Sequence, residues 1–343
     1  MPVTWGGKPA IWMAWTGINP LPDLLALCLA SIRRHNGADF EVIVVTPGNL
    51  RRYLEPHPAY DYLSLTHRAD YLRLYLLHRY GGIYLDMDTI ALRPMTEIYA
   101  DLSECDLVTY DGAPWGEVFG ISVFGPTRRG SALTQAWSEA VESLLDDRHD
   151  ELAANRRSDP NPCGDCLGWS ELLRDVVNPI AQRLVGAGRL SARLLEPAWA
   201  HFAAGGPAHD DLFRACSPRP PDTELLILNH AMLPDWLKRM SSSEILGSEL
   251  GICRLLQYAL GCSLLSALLT PIARQLAAEG QFSPRLVDPD SEILGSEAAI
   301  CRLLQLALGC GGSLPAKVDP TETGTSRRIQ RWSFFSRWHK PKA

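Results

Sequence analysis

The 343-residue chain has no window of about 18 apolar residues, the length that a helix needs to cross a bilayer. Its start, Met-Pro-Val-Thr-Trp-Gly-Gly-Lys, also lacks a charged region running into an apolar stretch. Neither a membrane span nor a secretory leader is expected, and the expected location is cytoplasmic. The nine cysteines, at 28, 105, 163, 166, 216, 253, 262, 301 and 310, are odd in number and follow no regular spacing, which fits free thiols rather than a disulfide scaffold. Nor are staples needed, since a chain of this length can bury roughly 70–75% of its unfolded surface. Cys163-Gly164-Asp165-Cys166 has CxxC spacing, but no second pair follows at zinc-ribbon distance, so it reads as a loop with free thiols. P-loop, G-x-S-x-G, H-E-x-x-H and G-x-G-x-x-G signatures are all missing, which removes support for ATP hydrolysis, serine esterase and zinc-protease chemistry.

Acidic residues are absent from the last 18 positions, 326–343, although six basic ones are there. The rest of the chain holds 27 basic against 39 acidic residues, a formal charge of −12. So acidic a body excludes a general nucleic-acid binder, which would need a basic surface to meet phosphates. The tail mixes Arg327, Arg328, Arg331, Arg337 and Lys340 with Trp332, Phe334, Phe335 and Trp338. Such segments partition to anionic membrane surfaces, so a peripheral contact at the inner membrane face is expected.

What is present is an ordinary globular balance, 46% hydrophobic and 21% charged, which excludes disordered and fibrous architectures. Helical spacing of apolar residues predicts a helix from Pro22 to His35, with Arg33 and Arg34 placed favourably in its last turn. A β-branched run from Glu41 to Thr46, ended by Pro47-Gly48, predicts a buried strand. Thr66 to Tyr80 predicts a second helix stopped by Gly81-Gly82, followed at once by a strand at Ile83 to Leu85. Strands alternating with helices argue for an α/β domain with a largely parallel sheet. A further buried strand is expected at Leu225 to Leu228.

Two internal repeats bear on organisation. Residues 243–262 and 291–310 are identical at 17 of 20 positions, 48 residues apart, and each reads as amphipathic helix that supplies accessory packing. More weakly, 178–197 and 270–289 agree at 9 of 20 positions. The expected division is a catalytic domain over 1–240, a duplicated helical extension over 241–310, a Gly/Pro/Thr-rich linker over 311–325 and the basic aromatic tail.

The most informative stretch runs from His67-Arg68-Ala69-Asp70-Tyr71-Leu72-Arg73 to Tyr80-Gly81-Gly82-Ile83-Tyr84-Leu85-Asp86-Met87-Asp88. Aspartates one residue apart at the end of a strand can be aimed at one ion. Carboxylates suit a hard divalent cation such as Mn²⁺ or Mg²⁺, which keeps positions open for phosphate oxygens. Asp70 and Arg73, three apart on the preceding helix, share a face, and an ion pair on a solvated surface is the plain reading of them.

With these residues in place, the chain resembles the retaining, DXD-containing glycosyltransferases of the GT-A fold. The group includes capsular-polysaccharide-synthesis proteins, initiating mannosyltransferases and α-1,4-galactosyltransferases, with the clostridial glucosylating toxins as distant kin. Ala69, Asp70, Arg73, Leu77, Gly81, Gly82, Ile83, Tyr84, Leu85, Asp86 and Asp88 carry the resemblance. It implies a Rossmann-type nucleotide-sugar-binding domain and a metal-dependent sugar transfer from a UDP- or GDP-sugar to a glycan, lipid-linked or polysaccharide acceptor. It also implies Asp88 as a direct metal ligand and Asp86 as a contact to metal, ribose or donor sugar. Asp70, Arg73 and Tyr84 are implied at the nucleotide, and the tryptophan of Trp15-Thr16-Gly17 against its base, with Trp12 as a second possibility. His230 is implied as a third metal ligand and Trp236 as a donor-site residue, although Asp235 stands where relatives often have serine. No enzyme nucleophile is expected, since retention in this group is thought to proceed by same-face attack. A catalytically inactive nucleotide-sugar or glycan-binding module, and an effector that glycosylates a host protein, remain the alternatives.

Overall fold

The structure, a computed structural model, describes residues 4–110, 124–195, 212–214, 224–228, 230 and 233–261. The second repeat copy, the weaker repeat at 270–289, the linker and the tail lie outside the described residues.

The fold is α/β. Its centre is β1 (Ala10–Ala14), every residue of which is buried, as expected for a strand covered on both faces. It runs parallel to β2 (Glu41–Val45) in the register Ala10↔Glu41 and to β3 (Gly82–Tyr84) in the register Ile11↔Ile83. The connecting helices are α1 (Asp23–Asn36) and α2 (Leu65–Tyr80), within one residue of the sequence expectation at each end. Ser64 caps α2 by accepting the backbone N–H of His67, the usual service of serine at this position.

Beyond β3 the sheet departs from the expectation of largely parallel strands. β4 (Thr89–Ala91), α3 (Thr96–Ala100), β5 (Leu107–Tyr110) and β6 (Phe124–Thr127) come next in the chain. The main sheet has the order β2-β1-β3-β6-β5, closed at its far edge by β7 (Ala192–Leu195). β6 is antiparallel to both β3 and β5, whereas β5 and β7 are parallel. The reversal has a simple cause. Consecutive strands that lie side by side return directly when antiparallel and need no crossover helix.

The helices α4 (Ala132–Asp147), α5 (His149–Ser158) and α6 (Arg174–Gly186) build the largest core with α2, around Trp12, Leu77, Trp137 and Ile180. A second, two-stranded sheet pairs β4 with β8 (Leu225–Ile227) in antiparallel register Thr89↔Ile227. Behind it pack α7 (Asp235–Lys238), α8 (Ser242–Gly247) and α9 (Gly251–Ala259). The first repeat copy is therefore two short helices, not one, broken at Ser248-Glu249-Leu250 where Gln257 donates to the carbonyls of Leu246 and Ser248. One hydrophobic cluster joins Leu24 and Cys28 of α1 to Leu237, Ile245, Leu255 and Leu256, so packing runs unbroken across position 240. The CxxC segment lies in a turn-rich stretch with both cysteines free, Cys163 exposed and Cys166 half-buried.

Gly81 and Gly82 do more than stop α2. Their φ values are +70° and +100°, a region open to glycine and strained for other residues. A Cβ on Gly82 would stand 2.5 Å from the carbonyl oxygen of Ala10. The pair of glycines lets β3 come flush against β1, and this fixes where the chain emerges at Asp86.

Candidate active site

β3 ends at Tyr84 and the chain turns through Asp86-Met87-Asp88 before entering β4. The two aspartates face a cleft of about 240 Å³ lined also by Trp15, Thr16, Asn19, Thr66, Tyr84 and His230. Three segments distant in sequence thus meet: the end of β1, the first turn of α2 and the residues that follow β8.

Each aspartate is anchored differently. An Arg73 guanidinium nitrogen donates to Asp86 Oδ1 at 2.7 Å and lies 3.6 Å from Asp70 Oδ1. The same guanidinium sits over the Tyr84 ring, 4.8 Å from its centroid, a cation–π contact strengthened by burial. Asp88 Oδ2 accepts the backbone N–H of His230, and the Asp88 carbonyl accepts that of Leu228 at 3.0 Å. Residues 142 apart in sequence are held together by the β4–β8 pairing.

The electrostatics are lopsided. Burial pushes the carboxyl of Asp86 up, with Arg73 partly offsetting this and Asp88 adding to it; burial raises Asp88 too, offset first by the His230 backbone N–H and more weakly by Arg73. Asp70 rises to about 6 for the same reason, burial first, opposed by Arg73. Burial by itself would depress Arg73, but Asp86 and Asp70 outweigh it and hold the guanidinium above its usual range. One guanidinium thus answers three carboxyl groups. His230 moves the other way, depressed by burial and then by Lys238, so its imidazole is neutral, the form that ligates metals. Its Nε2 is buried without a hydrogen-bond partner among the described residues.

These features fit a divalent cation. Two extra carboxylates, an orphaned imidazole nitrogen and a half-open cleft supply oxygen and nitrogen donors and room for water or phosphate oxygens. Among the described residues, no three His, Cys, Asp or Glu side chains are close enough to enclose an ion by themselves. The three expected ligands Asp86, Asp88 and His230 thus line one cleft without being drawn together around one point.

Asp70 and Arg73 are 5% and 3% exposed, which overturns the solvated ion pair. Neither lines the cleft; both stand behind Asp86. Trp12 is also corrected as a base-stacking possibility. It is fully buried, donates to the Gly81 carbonyl at 2.9 Å and packs edge-on with Trp5 and Tyr53. Trp15 is half-buried at the cleft, with its indole N–H on the Asn19 carbonyl at 2.8 Å. Trp236 is 46% exposed on α7 and is not among the cleft-lining residues. Thr16 and Asn19 were missed, although both sit within four residues of Trp15. Thr16 donates to the Leu65 carbonyl at 2.8 Å, tying the end of β1 to the start of α2.

His67, one turn ahead of Asp70, was missed as well. It is a buried cross-link: Nδ1 is 2.7 Å from Asp165 Oδ2 and Nε2 is 3.1 Å from the Gly168 carbonyl. Acceptors at both nitrogens require the doubly protonated ring.

Residues 5–115 match the family model described as capsular polysaccharide synthesis protein. That span, less than half of the chain, contains the W-x-G segment, α2, the glycine pair and both aspartates. No curated protein matches the chain. Among solved structures, the chain is similar to the PaToxG glycosyltransferase at 13% identity and a TM-score of 0.35, covering 52% of this chain and 70% of that one. It is similar also to the glycosyltransferase GlyE of Streptococcus pneumoniae TIGR4 in its apo form, at 14% identity and a TM-score of 0.37, covering 80% of this chain and 64% of that one. A second GlyE structure gives 16% identity and a TM-score of 0.30 over 56% of this chain and 46% of the other. The chain thus spans less than two-thirds of either GlyE chain.

Proposed function

We propose that the protein is a metal-dependent retaining glycosyltransferase which moves a sugar from a UDP- or GDP-sugar to a glycan, lipid-linked or polysaccharide acceptor. The family-model match over 5–115 supports a glycosyltransferase. The observation that carries the finer reading is the convergence of Asp86, Asp88 and the unpartnered His230 Nε2 on one cleft.

Asp88, Asp86 and His230 are the residues that would hold Mn²⁺ or Mg²⁺. The ion's chemistry there is to neutralise charge on the departing nucleoside diphosphate. Arg73 keeps Asp86 ionised and aimed, while the β4–β8 ladder and the His230 N–H keep Asp88 in place. The N-terminal end of α2 lines the same cleft through Leu65, Thr66 and Ala69, and the positive end of a helix favours phosphate oxygens. Trp15 offers the nucleotide base an aromatic wall, and Asp70 and Arg73 support the nucleotide end from behind Asp86. No side chain is nominated as nucleophile.

The test is release of sugar from a panel of UDP- and GDP-sugars with and without Mn²⁺, on the wild type and on Asp88→Asn. Hydrolysis of one donor, dependent on Mn²⁺ and abolished by the substitution in a folded protein, is expected. Undiminished turnover in Asp88→Asn would overturn the mechanism.

A further inference from the structure

Among the described residues, the duplicated segment plays no part in the cleft. Its first copy forms α8 and α9, whose residues Ile245, Ile252, Cys253, Leu255, Leu256 and Ala259 are all buried. They share a cluster with Leu24 and Cys28 of α1, Ile90 of β4 and Leu226 of β8. This seat lies directly behind the two strands that present Asp88 and lead to His230.

Adding 48 to each of these six buried hydrophobic positions gives Ile293, Ile300, Cys301, Leu303, Leu304 and Ala307, the same residue every time. The three differences between the copies are at Leu250, Gly251 and Tyr258 against Ala298, Ala299 and Leu306, and of these Gly251 is buried, so Ala299 would bring one extra methyl group into the seat. Tyr258 is 52% exposed, so the seat does not sense its loss, and alanine favours helix over the glycine it replaces. Only Leu250, half-buried against the cluster, is a lost apolar contact.

Two features outside the repeat favour the first copy. Ser241 forms a capping box with Glu244, and Asp23 of α1 accepts the backbone N–H of Ser242 at 2.6 Å and its hydroxyl at 3.0 Å. The matching positions of the second copy are Pro289 and Asp290. Proline has neither the hydroxyl nor the N–H for that box, and a second aspartate would repel Asp23.

We infer that residues 291–310 are a reserve occupant of the same seat on α1, β4 and β8 of their own chain, taken up when residues 243–262 are displaced. The 28 intervening residues, 263–290, span up to about 90 Å when extended, several times the length of α9. Reach is no obstacle.

Three full-length variants test this by thermal unfolding and amide hydrogen exchange: Leu255→Asp/Leu256→Asp, Leu303→Asp/Leu304→Asp, and all four together. With the first pair changed, amides of 300–307 should gain at least tenfold in protection, and the protein should unfold well above the fourfold variant. With the second pair alone changed, unfolding should match the wild type, because the seat is already filled. The inference is overturned if the first variant unfolds with the fourfold one and 300–307 gain no protection. It is equally overturned if the second variant is as destabilised as the first, which would give 291–310 a permanent seat of its own. Sedimentation closes the remaining route: a dimer formed only by the first variant would put the spare segment on a neighbour and refute docking within one chain.

Discussion

Asp88 and Asp86 are neighbours in sequence with different supports, and their substitutions should separate accordingly. In Asp88→Asn the amide oxygen can still accept the His230 N–H, so the fold survives and Mn²⁺-dependent turnover is lost, as activity and unfolding assays on one preparation will show. Arg73→Met is the opposite case. It strips the Arg73 guanidinium from three buried or half-buried carboxyl groups and should cost about 3–5 kcal/mol in denaturant unfolding, the usual price of breaking a buried pair. His230→Ala should raise the Mn²⁺ concentration for half-maximal rate by roughly ten- to a hundredfold; a change in thermal stability alone would make His230 structural. The His67–Asp165 pair sets a pH window. Burial alone would lower His67, but the hydrogen bond and charge of Asp165 raise it above 6.5, so its contribution is full below 6.5 and fades as pH rises through the folded value. Asp165 resists its own burial through His67 and the N–H groups of Ser64 and Leu167 and is held down at about 2; its contribution is full above 3.8 and is lost as pH falls toward 2. The pair therefore stabilises most between pH 3.8 and 6.5, and the gap in unfolding temperature between wild type and His67→Gln should narrow from pH 6 to pH 8.

At the scale of the element, α2 and β3 were legible because their boundaries are local chemistry. Ser64 accepts a first-turn N–H, Gly81 and Gly82 take φ values that side chains avoid, and Leu72, Leu76 and Leu77 face the core as their spacing requires. Gly82→Ala should lose at least about 1–3 kcal/mol from backbone strain alone, and the contact with Ala10 adds to it. The measurement is thermal unfolding together with donor hydrolysis, since shifting β3 shifts Asp86. The β4–β8 sheet was not legible. Leu225 to Leu228 reads as a strand, but short apolar strands do not name their partner, and the pairing of Thr89 with Ile227 joins segments about 140 residues apart. The antiparallel β6 escaped for the same reason.

On the scale of the whole molecule, no helix among the described residues is long and apolar enough to cross a membrane, and the basic aromatic tail is the segment proposed for peripheral contact. Deleting 326–343 should lower binding to anionic vesicles and leave turnover on soluble donor unchanged; co-sedimentation with vesicles and the donor assay check the two halves. Equal vesicle binding would refute the anchor, and lost hydrolysis would make the tail part of the active site. The sequence by itself determined the α/β class, the helix–Gly-Gly–strand–DxD run and the acidic body, because these follow from short-range spacing and composition. Only the tertiary structure decided that Asp70 and Arg73 stand buried behind Asp86, that Trp12 belongs to the core while Trp15 faces the cleft, and that His230 reaches Asp88. Burial and long-range strand pairing make those choices, since the same side chain is a solvated ion, a packed ring or a ligand according to what the rest of the chain brings against it.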